Sequence, residues 1–281
     1  MITVVIPIYN RAKVLGRTLE SIAASTYRPI NLILVDNGST DGSMDVAQDF
    51  QRKYMSDDFN IYFTEEKQKG ASFARNKGLS RVKSKYVYFF DDDDLFDKDF
   101  LQVFEELLTK FINNHNTPDM ICLTSNMQVG NKKPFVRDYH IQGTDPVCNQ
   151  IIAGPLNTVS MIFRTEFLRN IGGWNENVTT WDDWELGVRA LLHNPLLYWC
   201  KDKAFHMTFV HDDSQTGPSI KSRKTAIMNA INEVGKQISL PSHRRALMIR
   251  RLNVNCHIPG LWRVARLFRK QCTMRNERAN G

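Results

Sequence analysis

Apolar positions along residues 1–128 fall into two alternating patterns. Residues 3–6, 32–35, 61–63 and 86–90 are short continuous β-prone runs, the mark of strands covered on both faces in a parallel sheet. Between the first two runs Ala12, Leu15, Leu19 and Ile22 recur at a spacing of three to four, which puts them on one face of a helix and predicts a βαβ unit. Further helices are predicted after Asp41-Gly42, from about Gly70, and over residues 100–112. Alternation of this kind implies a doubly wound α/β sheet with right-handed crossovers.

The second half is less regular. Strands are predicted at residues 120–123, 160–163, 198–199 and 205–210, with a polar connection over residues 130–143. A short helix ends at Gly172-Gly173, and another runs from Asp182 to Leu192 with an acidic pair at its amino terminus. Polar residues around Pro218 separate this body from a carboxyl-terminal helical segment. The expected organisation is one domain in two halves, 1–128 and 129–217, followed by a basic helical segment, 218–281.

Composition places the chain among globular proteins: 281 residues with 42% apolar content suffice for one large core and an appendage. Its five cysteines are odd in number, widely spaced and without a C-x-x-C pair, which argues against a disulfide framework or structural zinc and for a reducing cytoplasm. Residues 1–8 read as a strand, since they lack a basic leader region and contain Pro7, and no stretch approaches transmembrane length. The net charge of +7 is unevenly placed. From Lys236 onward eleven Lys and Arg face one acid, Glu277, so that segment carries +10 and the preceding 235 residues carry −3. The basicity is therefore a local patch for an anionic partner, and no nucleic acid is expected.

The most informative junction is the run of Asp91 to Asp94 directly after residues 86–90. Carboxylates at the carboxyl end of a buried strand lie where open α/β sheets bind ligands. Four of them repel one another unless water, donors or a hard cation offsets the charge, and oxygen ligands suit Mn²⁺ or Mg²⁺. A D-x-D triplet by itself arises by chance on the order of once in a chain this long, so position, not composition, carries the reading against a merely solvated turn. No G-x-G-x-x-G follows the first strand and no G-x-x-x-x-G-K-[ST] is present, which disfavours dinucleotide enzymes and P-loop NTPases. Asp182 and Asp183 either complement a helix dipole or supply a base, and Trp174, Trp181 and Trp184 are either buried mass or sugar-stacking faces.

Six motifs in order, ITVVIPIYN, LILVDNGSTDGS, KGASFARNKGL, YVYFFDDDD, IGGWNE and WDDWEL, resemble the bacterial-type family 2 glycosyltransferases, which are inverting enzymes of the GT-A fold. That resemblance implies a Rossmann-like, doubly wound mixed sheet with a carboxyl-terminal helical segment. It implies that Pro7, Tyr9, Asn10, Asp36, Gly70, Arg75, Asp91 and Asp92 surround the nucleotide, Asp36 accepting from the uracil N3-H and Arg75 bordering base and phosphates. Asp93, with Asp91, is implied as the metal ligand on the diphosphate. His211 matches a histidine that in some members reaches the metal, although a lone histidine at a strand end is also an ordinary structural residue. Asp183 is the implied base, with Asp182 standing where the family usually has Glu. Trp181, Trp184 and Glu185 are expected on the acceptor side. The implied reaction moves one sugar from a nucleoside-diphosphate donor, UDP-linked, to a glycan or lipid-linked acceptor in cell-surface polysaccharide synthesis. Without a Q-x-x-R-W motif or a membrane span, the resemblance to processive synthases fails.

Over residues 244–270 arginines interleave with Leu247, Ile249, Leu252, Trp262 and Phe268, interrupted at Pro259-Gly260. Two structures meet that pattern: a helix lying on an anionic membrane at its inner face, or helices packed on the catalytic body with solvated arginines. Two other functional classes stand beside the transferase, a metal-dependent nucleotidyltransferase and a catalytically silent nucleotide- or sugar-binding partner. The first would want a Gly-rich, basic first loop that this chain lacks.

Overall fold

A computed structural model describes residues 2–113, 116–137, 145–210 and 220–256. The first half follows the predicted alternation: β1 (Ile2–Ile8), α1 (Ala12–Ala23), β2 (Ile30–Asp36), α2 (Ser43–Tyr54), β3 (Phe59–Glu65), α3 (Ala71–Arg81), β4 (Tyr86–Phe89) and α4 (Phe100–Asn113). Then come β5 (Met120–Val129), β6 (Phe135–Arg137), α5 (Pro146–Ala153), a single 3-10 turn (Thr158–Ser160), β7 (Met161–Arg164), α6 (Thr165–Asn170), α7 (Asp182–Leu192), β8 (Leu197–Val210), α8 (Ile220–Gln237) and α9 (Pro241–Cys256). The sheet runs β3-β2-β1-β4-β7-β5-β6, with β8 also on β5. Strands β3, β2, β1 and β4 are parallel, β7 is antiparallel to β4 and β5, and β8 is parallel to β5.

Pleating divides the apolar runs between two cores. Val5, Ile33, Val35, Val87 and Phe89 face α3, α5, α7, α8 and α9; Val4, Ile6, Leu32, Leu34, Tyr86 and Tyr88 face α1, α2 and α4. Both faces being covered explains why these strands read as unbroken apolar runs, and each fully buried large side chain contributes about 1.5–3 kcal/mol. Helix α3 lies so close to β1 that a Cβ at Gly78 would fall 2.3 Å from Val5 Cγ1. The mixed α/β sheet agrees with the expected fold class.

Two details of the second half depart from the sequence pattern, and a third matches one of the two structures expected for the carboxyl-terminal segment. Residues 198–199 and 205–210 belong to one strand, β8, whose register against β5 shifts at Leu123/Thr124 and Ser125/Asn126; the polar residues between the two apolar stretches are accommodated by these irregularities. The polar connection after β5 contains β6, paired to Ser125, Asn126 and Met127. Helices α8 and α9 are packed on the body, with Ile227, Ile231, Val234, Ala246 and Leu247 in the same buried cluster as Trp184 and Val188. Among the described residues no helix is long and apolar enough to cross a membrane.

Candidate functional site

The site assembles at the carboxyl ends of β1, β2 and β4, where the chain must leave a buried sheet and expose its polar residues. After Ile8 the backbone turns through Asn10, whose φ is 53°. Its Oδ1 accepts from Thr40 N at 2.8 Å, and its own N–H donates to Ser39 Oγ at 3.2 Å. Asp36, the last residue of β2, accepts from Ser39 N at 3.0 Å. Asn37 is buried and ties three segments: Nδ2 donates to the carbonyls of Glu66 and Gln68, and Oδ1 accepts from Gly70 N at 2.8 Å. Gly70 has φ of 140°, open to glycine and strained for any other residue. Tyr9, Asn10, Asp36 and Gly70 thus line one rim, with Tyr9 48% exposed, while Pro7 lies within β1 in register with Val35.

The four aspartates do not act alike. Phe90 N donates to Val5 O at 3.0 Å, which carries the β4 pairing up to the tetrad. Asp91 accepts from Arg75 Nη2 at 2.9 Å. Asp92 accepts from Tyr9 N at 3.2 Å and faces Arg11 Nε at 3.4 Å. Asp93 lies 3.5 Å from Arg11 Nη2, and its carbonyl accepts from Arg17 Nη2 at 2.8 Å. Asp94 is buried and accepts from Phe209 N of β8 at 2.9 Å, while Leu95 pairs backbone to backbone with Met207. Asp94 is therefore a structural clasp and not an open ligand. Burial, reinforced by Asp93, pushes the Asp92 carboxyl up to about 7, with Arg11 opposing. Burial also raises Asp94 well above the usual carboxylate range, aided by Asp91 and Asp93.

Arg75 joins the tetrad to the helix that carries the second acidic pair. Nη1 donates to Asp182 Oδ2 at 2.7 Å while Nη2 holds Asp91, and the guanidinium sits 4.4 Å from the centroid of the buried Trp174 ring. Burial disfavours its charge, but Asp182 and Asp91 more than offset this and raise its pKa. The Arg75 guanidinium, expected to border base and phosphates, is buried and paired with two protein carboxylates. Asp182 also faces Ser72 Oγ at 3.3 Å. Asp183, beside it at the start of α7, accepts from Trp184 N at 2.7 Å and stays half-buried. Burial, with the neighbouring Asp182, pushes its carboxyl up to about 7, and Arg75 pulls the other way.

Two residues expected on the acceptor side are packed inside. Glu185 is fully buried, receiving Arg189 Nε at 2.8 Å, Arg189 Nη2 at 3.0 Å and Gln237 Nε2 at 3.0 Å. Trp184 is 3% exposed and donates Nε1 to Gln150 O at 2.9 Å. Helical spacing explains both: one and two residues past Asp183 the side chains turn into the body. Trp181 keeps a partly open indole. His211 lies outside the described residues. Among the described residues, the side chains gathered closely enough to hold a cation are Asp145, Cys148 and His243, with ligand atoms within 4.8 Å of one another. That group stands apart from the tetrad, at the start of α5, where Asp145 caps the helix and pairs with His243 at 2.8 Å. Sequence reasoning missed Arg11 and Asn37; Arg11 directly follows the first motif, Asn37 lies within the second beside Asp36, and neither has a periodic signal.

The model for glycosyl transferase family 2 matches residues 3–164, which holds the rim, the tetrad and Arg75. The chain belongs to this family. Among relatives, the glycosyltransferase GlyA of Streptococcus pneumoniae serotype 4 (strain TIGR4) is 34% identical over 110 residues, 39% of this chain and 15% of its own. The minor teichoic acid biosynthesis protein GgaA of Bacillus subtilis (strain 168) is 37% identical over 107 residues, 36% of this chain and 23% of its own. The chain thus spans less than a quarter of either relative. Among solved structures, S. aureus TarS 1-349 in complex with UDP superposes with a TM-score of 0.66 at 19% identity, over 92% of this chain and 72% of that one. The mannosyltransferase PcManGT from Pyrobaculum calidifontis, in complex with GDP-Man and Mn²⁺, gives 0.67 at 17%, over 95% and 73%. At these identities the likeness is one of fold, and this family 2 chain carries the GT-A arrangement.

Proposed function

We propose that this family 2 chain transfers one sugar, with inversion, from a UDP-linked donor to a glycan or lipid-linked acceptor of a cell-surface polysaccharide. The observation that supports it best is the Arg75 bridge, which holds the tetrad and the start of α7 on one guanidinium. Pro7, Tyr9, Asn10, Asp36 and Gly70 surround the nucleotide in this reading, and an aspartate facing an imide N–H is a matched pair. The teichoic acid relative and the UDP-bound fold neighbour favour the substrate class.

Asp93 with Asp91 would hold Mn²⁺ or Mg²⁺, with His211 as a further ligand. The donors are hard carboxylate oxygens of the kind these ions prefer, paired here with Arg11 and Arg75, and a bound ion would draw them together. A divalent ion held there would neutralise charge on the departing diphosphate. Asp183 takes the proton from the attacking hydroxyl. Asp182, paired to Arg75, keeps α7 in place; it is a positioning residue. Attack from the Asp183 side on a donor held by the tetrad opposes nucleophile and leaving group, which is the geometry of inversion.

The outer face of α9 suits an anionic membrane. Arg244, Arg245, Met248, Arg251 and Leu252 are exposed on consecutive turns with no acid in the helix, while Ala246 and Leu247 are buried. In this reading the enzyme sits peripherally, beside a lipid-linked acceptor. Sugar-nucleotide turnover tests the whole reading. Hydrolysis or transfer from a UDP-sugar panel that requires Mn²⁺ or Mg²⁺ and disappears in Asp93→Ala supports it; turnover indifferent to metal, or none with any donor, sinks it.

A further inference from the structure

The inner face of α9 reaches the start of α7, and the reaction described above makes no use of it. Arg250 donates Nη1 to the carbonyl of Ile152 in α5 at 3.1 Å, and its guanidinium lies 4.2 Å from the centroid of the Trp181 ring. Trp181 immediately precedes Asp182 and Asp183. Its φ is 62°, a left-handed conformation that a bulky residue keeps only where its surroundings hold it. An aromatic neighbour, Trp184, is 5.6 Å away between centroids and is itself anchored on Gln150. Gly154 lets these groups close up, since a Cβ there would sit 3.1 Å from Trp184 Cδ1 and 3.9 Å from Arg250 Nη2. Helices α5, α7 and α9 converge on one half-buried indole beside the proposed base.

A tryptophan held on one side by a cation is a stiff apolar plate. Pyranose rings present a C–H face that stacks on such a surface, and a plate that is already rigid loses little entropy when it is covered. We propose that Arg250 is a positioning residue for the acceptor: it holds Trp181 as the stacking plate for the acceptor's pyranose ring, so that the carboxyl-terminal helix forms part of the acceptor subsite. This rests on Asp183 serving as the base. The competing account, in which Arg250 only packs α9 against α5, predicts a general loss of stability and no selective loss of sugar.

Saturation-transfer NMR on the full chain separates the two, with methyl pyranosides of glucose, galactose and N-acetylglucosamine as probes, read with and without UDP. Transfer from the wild type to at least one pyranoside is expected. Its affinity should fall about 5- to 30-fold in Arg250→Met, recover in part in Arg250→Lys, which restores a cation, and vanish in Trp181→Ala. UDP affinity by calorimetry should hold in all three, each still folded at the temperature of the measurement. Wild-type affinity in Arg250→Met, no transfer from the wild type to any probe, or a joint fall of UDP affinity and melting temperature with the sugar would each overturn the proposal. A wild type that fails to bind UDP would sink the donor assignment instead, and the arm without UDP would still decide this one.

Discussion

At the scale of single residues the chemistry turns on how burial and charge divide the carboxylates. Asp183→Asn keeps the shape of the side chain but cannot take a proton, so turnover of a matched donor and acceptor should fall by roughly 10²–10⁴-fold with UDP affinity nearly unchanged. Near-normal turnover would remove Asp183 from the base role. Because its carboxyl is pushed up to about 7, the base is protonated in mild acid and turnover should climb with pH, levelling above about 7. The same shift has the opposite consequence for stability. A folded-state pKa raised above the unfolded value of about 3.9 makes the folded chain bind the extra proton between about pH 4 and 7, so stability from this group declines as pH rises through that window. Arg75→Met should cost about 3–5 kcal/mol, read from urea unfolding, since it strands Asp91 and the buried Asp182 without their shared partner. The sequence named these carboxylates and Arg75 one by one. It could not show that Arg75 serves two of them, because the contact spans 107 residues to Asp182 and no local pattern encodes it.

Among elements, those whose neighbours lie nearby in sequence were readable. β1, β2, β4, α1 and α4 follow from runs and helical spacing, because these strands are buried on both faces and these helices show one apolar stripe, whereas the edge strand β3 exposes Tyr62 and α3 buries Ser72 and Arg75. β8 was split in two, since its polar middle breaks the period while pairing with β5 keeps it extended. The inward turn of Trp184 and Glu185 was equally hidden: helix α7 has apolar neighbours on nearly every side, so its sequence lacks a clear polar face. Close packing between elements gives a sharper test. Gly78→Ala must displace Val5, and forcing α3 off β1 should lower stability by about 1–3 kcal/mol, seen as a lower urea midpoint with unchanged slope. An unshifted midpoint would mean that α3 has more freedom than its contact with Val5 allows.

For the molecule as a whole, charge is partitioned between a mildly acidic body and a basic carboxyl-terminal segment. If α9's outer face meets lipid, replacing Arg244, Arg245 and Arg251 by Glu should abolish co-sedimentation with phosphatidylserine vesicles at low salt. Each cation lost is worth about 1 kcal/mol, and the wild type should itself be released by added salt. Equal sedimentation of the two proteins, or indifference to salt, would leave only the packing role of α9's inner face. The tetrad, finally, is fastened at both ends: Phe90 is bonded to Val5, and Asp94 and Leu95 are bonded to Phe209 and Met207. A turn sewn into two strands has no slack with which to answer an incoming charge. Its electric field is set when the chain folds, so the work of aligning dipoles is done once per protein molecule and not once per catalytic cycle.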